Sequence, residues 1–234
     1  MGSIGDNVLR VREEIARAAA LAGVRAESIR LVAASKTKDA EAVREAVRAG
    51  VDACGENRVN EFLEKDAQGA YDGAPKHFIG RLQHNKVRQI TGKADLIQSV
   101  DGEALLRQID RRAEALGIRQ AVLLQVNIGR EEQKSGVEPE RLPELCALAD
   151  TLPHVRLEGL MAVPPVFSGQ EKYPYFEEMY QLFVDMRAKK YNNVCMNILS
   201  MGMSGDYPAA IRAGANMVRV GTAIFGARTY PPTV

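Results

Sequence analysis

Eight short runs rich in aliphatic residues recur along the chain, at 30–35, 52–55, 76–79, 95–99, 121–127, 155–160, 196–199 and 217–220. Segments with helical periodicity separate them, at 39–49, 57–68, 83–91, 102–116, 139–150, 170–189 and 206–213. A strand that runs into a helix returns by a crossover, which lays the next strand parallel to the first. This alternation therefore predicts a parallel sheet with helices outside it. Eight repeats favour closure into a single-domain (β/α)8 TIM-type barrel over an open doubly wound sheet, and 234 residues is near the short end for that fold. A leading amphipathic segment at 3–22, with Ile4, Val8, Leu9, Val11 and Ile15 on its apolar positions, adds an N-terminal helix that Gly23 should end. Gly50, Gly117 and Gly214 fall where helix C-caps are needed, and Asp206 before Pro208 reads as an N-cap. The pair "AVRAGVDACGE" and "AIRAGANMVRVG" is a faint internal echo of one such unit.

Composition narrows the function classes. A net charge of +1 offers no bulk electrostatic footprint for nucleic acid or an anionic membrane. No run of about 18 apolar residues exists, and the N-terminus lacks the apolar core of a secretory leader. Cys54, Cys146 and Cys195 are dispersed, with no CxxC pair, which suits reduced thiols in a cytoplasmic protein, each serving as a small buried apolar residue. His77, His84 and His154 have no metal-ligand spacing, so no metal is expected.

In a barrel of this kind chemistry gathers at the C-terminal ends of the strands. The first strand ends in Ser35–Lys36, the second in Glu56–Asn57, the fifth in Asn127 and the seventh in Ser200, while the eighth carries Arg219 before Gly221–Thr222. Lys36 shares the period-two parity of Val32 and Ala34 and so points toward the barrel interior. An ordinary lysine, with a pKa of about 10.4, is almost wholly protonated at pH 7. Burial favours the neutral amine, which can trap a carbonyl carbon as a Schiff base. The alternative is a lysine that caps the strand against a carboxylate such as Glu56. Lys38 lies beyond the strand, beside Asp39, and is expected in solvent. "VRVGTAIFG" and "SMGMSGDYP" each place glycine and a hydroxyl at the start of a helix, from the loops after strands eight and seven. Those are the loops that hold phosphate in such barrels. Ser200, Ser204, Gly221 and Thr222 are the candidate contacts. Arg219, inside a strand, must pair with an acid or face a ligand. A carbonyl trap, a phosphate seat and a fixed cation together describe a pocket for pyridoxal 5′-phosphate (PLP). An arginine beside the ring nitrogen keeps its own proton, which weakens the ring as an electron sink.

The stretches "VAASKTK", "GENRVNE", "HFIGRLQHNK", "VNIGREEQKSG", "LEGLMAVPP", "LSMGMSGDYPAAI" and "VRVGTAIFGAR" stand in order over nearly the whole chain and resemble the pyridoxal phosphate homeostasis protein family. The resemblance implies a barrel similar to the N-terminal domain of alanine racemase, with PLP as an aldimine on Lys36. It implies phosphate contacts from the Ser200–Ser204 loop, Gly221 and Thr222, with Arg219 near the ring nitrogen. Asn57 carries over as a pocket-lining residue, with a helix N-cap as its plainer role; Lys134 is a solvated loop lysine that could touch the cofactor transiently. No role is assigned to the Gln83–Lys86 segment beyond a rim. Only eight residues follow Gly226, so no second domain is expected to supply an acid/base group on the opposite face. The reading is a non-catalytic monomer that buffers PLP or delivers it by transient contact with PLP-dependent apo-enzymes. A small PLP-dependent racemase or decarboxylase of weak activity is the alternative, and an aldolase that traps a sugar phosphate is a third reading.

Overall fold

The first and last strands pair in parallel, with Val32 opposite Arg219, and that pairing closes the sheet. The computed structural model describes residues 2–165 and 173–227. Within them β1 (Arg30–Ala34), β2 (Ala53–Glu56), β3 (Lys76–Phe78), β4 (Leu96–Val100), β5 (Gln120–Val126), β6 (Val155–Ala162), β7 (Val194–Ser200) and β8 (Met217–Val220) form one closed barrel in chain order. The helices are α1 (Ile4–Leu21), α2 (Ala40–Arg48), α3 (Val59–Ala67), α4 (Val87–Ile90), α5 (Glu103–Leu116), α6 (Leu142–Asp150), α7 (Tyr173–Ala188), α8 (Tyr207–Arg212) and α9 (Thr222–Phe225). The (β/α)8 barrel with an extra N-terminal helix is thus the fold of this chain.

Burial explains the arrangement. Val32, Ala53, Leu96, Leu123, Met161, Ile198 and Met217 fill the barrel interior, each on the inward parity of its strand. The outward residues meet the helices. Leu31, Ala33, Val218 and Val220 pack under α1 and α2, and Val122, Leu124, Leu157 and Leu160 join the larger cluster under α5, α6 and α7. Fully burying one such aliphatic side chain contributes about 1.5–3 kcal/mol. A capping box of Ser3 and Asp6 starts α1, which lies across the β8–β1 seam. There the Asn7 amide donates to the Ile224 carbonyl at 2.7 Å.

Strand ends fall within a residue or two of the sequence-based ranges. Gly50, Gly117 and Gly214 all take positive φ at helix ends. Gly159 instead allows two strands to approach closely: a Cβ there would lie 1.8 Å from the Ile198 carbonyl oxygen, where the β6–β7 register shifts. The helix expected at 83–91 divides into a 3-10 turn at His84–Lys86 and the single turn α4, neither with a side-chain cap. The one expected at 139–150 likewise opens as a 3-10 turn at Pro139–Arg141, because prolines at 139 and 143 remove backbone donors from its start. Asp206 stands at the N-cap position of α8 but makes no capping bond; its carboxylate accepts from the Met203 N–H at 2.6 Å. Cys54 and Cys146 are buried, and burial pushes both thiols up to about 12. Cys195 departs from the expectation and is exposed, because alternate residues at the start of β7 face outward. The expected loop at 161–170 and the start of the helix expected at 170 lie partly outside the described residues.

Candidate functional site

A cavity of about 330 Å³ opens at the C-terminal end of the barrel, between the loops after β1, β2, β7 and β8. Its size is at the lower end of small-ligand pockets. Lys36, Asn57, Ser204, Arg219, Gly221 and Thr222 all line it.

Lys36 leaves the end of β1 half-buried and makes no hydrogen bond or ion pair with any described residue. It is less buried than its place after a strand suggested, because the cavity is open above it. The next residue, Thr37, has φ 65°, a left-handed conformation that costs a β-branched side chain. Its N–H donates to Glu61 at 2.8 Å, and the Lys38 N–H returns to the Ser35 carbonyl at 3.1 Å. This turn carries both lysines to the cavity. Lys38 is therefore not in open solvent as expected: it lines the pocket, and its Nζ donates to the Phe225 carbonyl at 2.9 Å.

The strand-capping alternative for Lys36 offers Glu56 as such a carboxylate, but Glu56 belongs to another lysine. Its carboxylate is wholly buried and accepts from Lys65 Nζ and Ser35 Oγ. Lys65 also donates to the Ser35 carbonyl at 2.8 Å. Burial pushes the Glu56 carboxyl upward, and Lys65 and Ser35 oppose that shift. The pair grips the residue just before Lys36 from two sides. Lys65 escaped the sequence reading because a helical lysine usually faces water; the strand-end glutamate nine residues earlier was the available signal. Asn57 is not the N-cap of α3, a position held by Arg58. Its backbone lies so close to Gly80 that a Cβ on that glycine would sit 2.1 Å from the Asn57 carbonyl oxygen.

The opposite wall is built for an anion. Ser204 Oγ accepts from the N–H groups of Gly221 and Ala223 at 3.1 and 3.2 Å, which fixes the β7–α8 loop against the β8–α9 loop. The N–H groups of Ser204, Gly205 and Thr222 donate to no described residue. Successive free amides of this kind form an anion-binding concavity. Because α9 is only four residues long, the individual N–H groups matter here and the helix dipole contributes little.

Arg219 forms the floor. It is buried, and burial pushes its guanidinium down to about 10. Nη1 donates to Ser200 Oγ at 2.6 Å and Nη2 to the Ala162 carbonyl at 2.8 Å. Ser200 itself is fully buried behind Arg219 and does not line the cavity. A serine ending a strand reads as a ligand contact, but inward parity takes it to the barrel axis. It donates there to Gln98 Oε1 at 2.7 Å, and Gln98 Nε2 faces His77 Nδ1 at 3.0 Å. The reading from sequence missed Gln98 and His77; polar residues on inward strand positions were the signal. Lys134 pairs with Glu131 away from this cavity, and Gln83 stands before the 3-10 turn, outside its lining. Among the described residues no group of three His, Cys, Asp or Glu is placed to hold a metal ion.

The lining as a whole carries three cations, Lys36, Lys38 and Arg219, and no carboxylate among the described residues. Among the described residues, an amine with no partner, unused backbone donors and a lining whose charged side chains are all cations suit a small phosphorylated carbonyl compound. The family model of the alanine racemase N-terminal domain matches residues 7–229. A pyridoxal phosphate homeostasis protein of Aquifex aeolicus is 43% identical over 96% of this chain and 98% of its own length. One from Escherichia coli K12 is 40% identical over 98% of this chain and 99% of its own. The solved structure of PipY from Synechococcus elongatus PCC7942 with PLP bound superposes with a TM-score of 0.82 at 32% identity, covering 96% of this chain and 100% of that one.

Proposed function

The chain belongs to the pyridoxal phosphate homeostasis protein family, and from that premise we propose that it holds PLP in the cavity at the top of the barrel, to buffer the cofactor or hand it on. Lys36 supplies the amine: its nitrogen bonds to the aldehyde carbon, and the carbonyl oxygen leaves as water. Ser204 and Thr222 take the phosphate with their hydroxyls and, with Gly205, with their backbone N–H groups, while Gly221, whose own N–H donates to Ser204 Oγ, borders the seat and holds that serine in place. Arg219 presents its remaining N–H groups to the ring nitrogen, and Asn57 closes the side toward β2. The observation that carries this reading is the lining: among the described residues it has three cations and no carboxylate, and the amine of one of the three, Lys36, makes no bond with any of them.

Holding rather than turnover follows from the same lining. Moving a proton on and off a substrate carbon needs a group on each face. Among the described lining residues the side chains able to exchange a proton are Lys36, which takes the aldehyde, and Lys38, whose Nζ is bonded to the Phe225 carbonyl. The relatives are named as homeostasis proteins, not as enzymes. The protein acts as a single-domain cytoplasmic monomer and meets PLP-dependent apo-enzymes only transiently. Incubation of the PLP-loaded protein with amino acids in deuterated water tests the reading. Retention of PLP with Cα exchange no faster than free PLP produces is expected; exchange at enzymic rates would overturn it.

A further inference from the structure

Behind the cavity a line of polar side chains crosses the barrel core from β8 through β7 and β4 to β3. The Arg219 guanidinium can only donate, so Ser200 Oγ accepts its Nη1–H at 2.6 Å. The Ser200 hydroxyl hydrogen is then directed to Gln98 Oε1 at 2.7 Å. That fixes the amide with Nε2 toward His77, so the Nδ1 3.0 Å away must present its lone pair. All four side chains are buried, with relative exposures of 4% for Arg219 and 6% for His77 and none for Ser200 and Gln98. Every hydrogen along the line points the same way, away from the cavity. Barrel interiors are ordinarily filled by branched aliphatic side chains. A buried polar line is tolerated only when each member is satisfied, and it then allows one arrangement.

Resting on the PLP reading above, we propose that Gln98 and His77 are positioning residues for the cofactor site: through Ser200 they lock the Arg219 guanidinium in the one orientation that presents its free N–H groups to the ring nitrogen. The neutral state that the line requires of His77 agrees with its surroundings. Burial pushes its imidazole down to about 4, against the raising influence of Asp95 and together with the lowering one of Arg30. A proton on Nδ1 would face the Gln98 amide hydrogens, turn the amide over, and leave the Ser200 hydroxyl hydrogen without an acceptor. The line therefore ties a histidine on the far side of the barrel to the floor of the pocket.

The test compares PLP with its 1-deaza analogue, in which CH replaces the ring nitrogen. Gln98→Leu is expected to weaken PLP retention roughly fivefold, the size of one net hydrogen bond, and to leave retention of the deaza analogue unchanged. Equal weakening of both would show a general packing defect and overturn the positioning role. Wild-type protein that holds neither compound would overturn the PLP reading itself, and this inference with it. A second measurement needs no variant: nitrogen-15 NMR of the ring should show His77 neutral with its proton on Nε2 near pH 7. A proton on Nδ1 would overturn the direction of the line.

Discussion

Replacing Lys65 by Met should be among the most costly single changes in the barrel wall, and its cost should depend on pH in a defined direction. Lys65 is 6% exposed and Glu56 0%. Among the described residues Glu56 Oε2 has no hydrogen-bond partner of its own, so Lys65 and Ser35 carry the compensation of that charge. Removing one partner of a buried pair costs about 3–5 kcal/mol, because the other charge stays buried. The lost bond from Nζ to the Ser35 carbonyl adds about 1 kcal/mol. The variant can escape part of this by protonating Glu56, whose carboxyl burial already pushes upward. A folded-state carboxyl pKa raised above the unfolded value lends stability at low pH that is lost as pH rises through the folded pKa. Urea unfolding should therefore show Lys65→Met several kcal/mol below wild type at pH 8, with the gap narrower at pH 5. The double variant Glu56→Leu/Lys65→Met should recover most of the loss, since a buried pair replaced by apolar residues is often neutral or better. A gap under about 1 kcal/mol at pH 8, or a double variant as unstable as the single one, would refute the buried-pair reasoning.

Gly80→Ala would drive a Cβ to within 2.1 Å of the Asn57 carbonyl oxygen, a backbone atom that cannot rotate away. It should cost about 1–3 kcal/mol in urea unfolding and weaken PLP retention as Asn57 shifts. His77, whose folded pKa lies near 4 against an ordinary 6.5, takes up its proton only on unfolding between those values. His77 should thus contribute a loss of about 3 kcal/mol of stability as pH drops from 6.5 to 4, and His77→Gln should remove that contribution from the slope. Ser204→Ala removes the oxygen that accepts from Gly221 and Ala223. It should raise the PLP dissociation constant roughly tenfold while covalent capture at Lys36 persists; unchanged affinity, read by equilibrium dialysis, would count against the phosphate seat.

The barrel was legible because its signals are periodic. Eight strand–helix alternations survive errors of a residue or two at each boundary, and closure follows from their number. That Lys36, Gly221 and Thr222 line the cavity could be read because they sit at strand ends, where the fold exposes whatever follows the strand. Ser200 was misread for a related reason: its position is at a strand end, but its parity points to the axis. Glu56–Lys65 and the line from Arg219 to His77 were not legible. They depend on which side chains of non-adjacent elements share one interior, and residues 65 and 56, or 98 and 200, carry no local pattern that links them. Lys38 was misplaced because the left-handed turn at Thr37, which no local signal announces in a β-branched residue, brings it back over the pocket.

The central claim is that one lysine, Lys36, takes the aldehyde. Borohydride reduction of the PLP-treated protein fixes the bond in place, and peptide mapping by mass spectrometry then locates the modified residue. Stoichiometric modification at Lys36, absent from Lys36→Ala, is expected. Modification of Lys38 or Lys134 in its place, or an unchanged yield in Lys36→Ala, would contradict it.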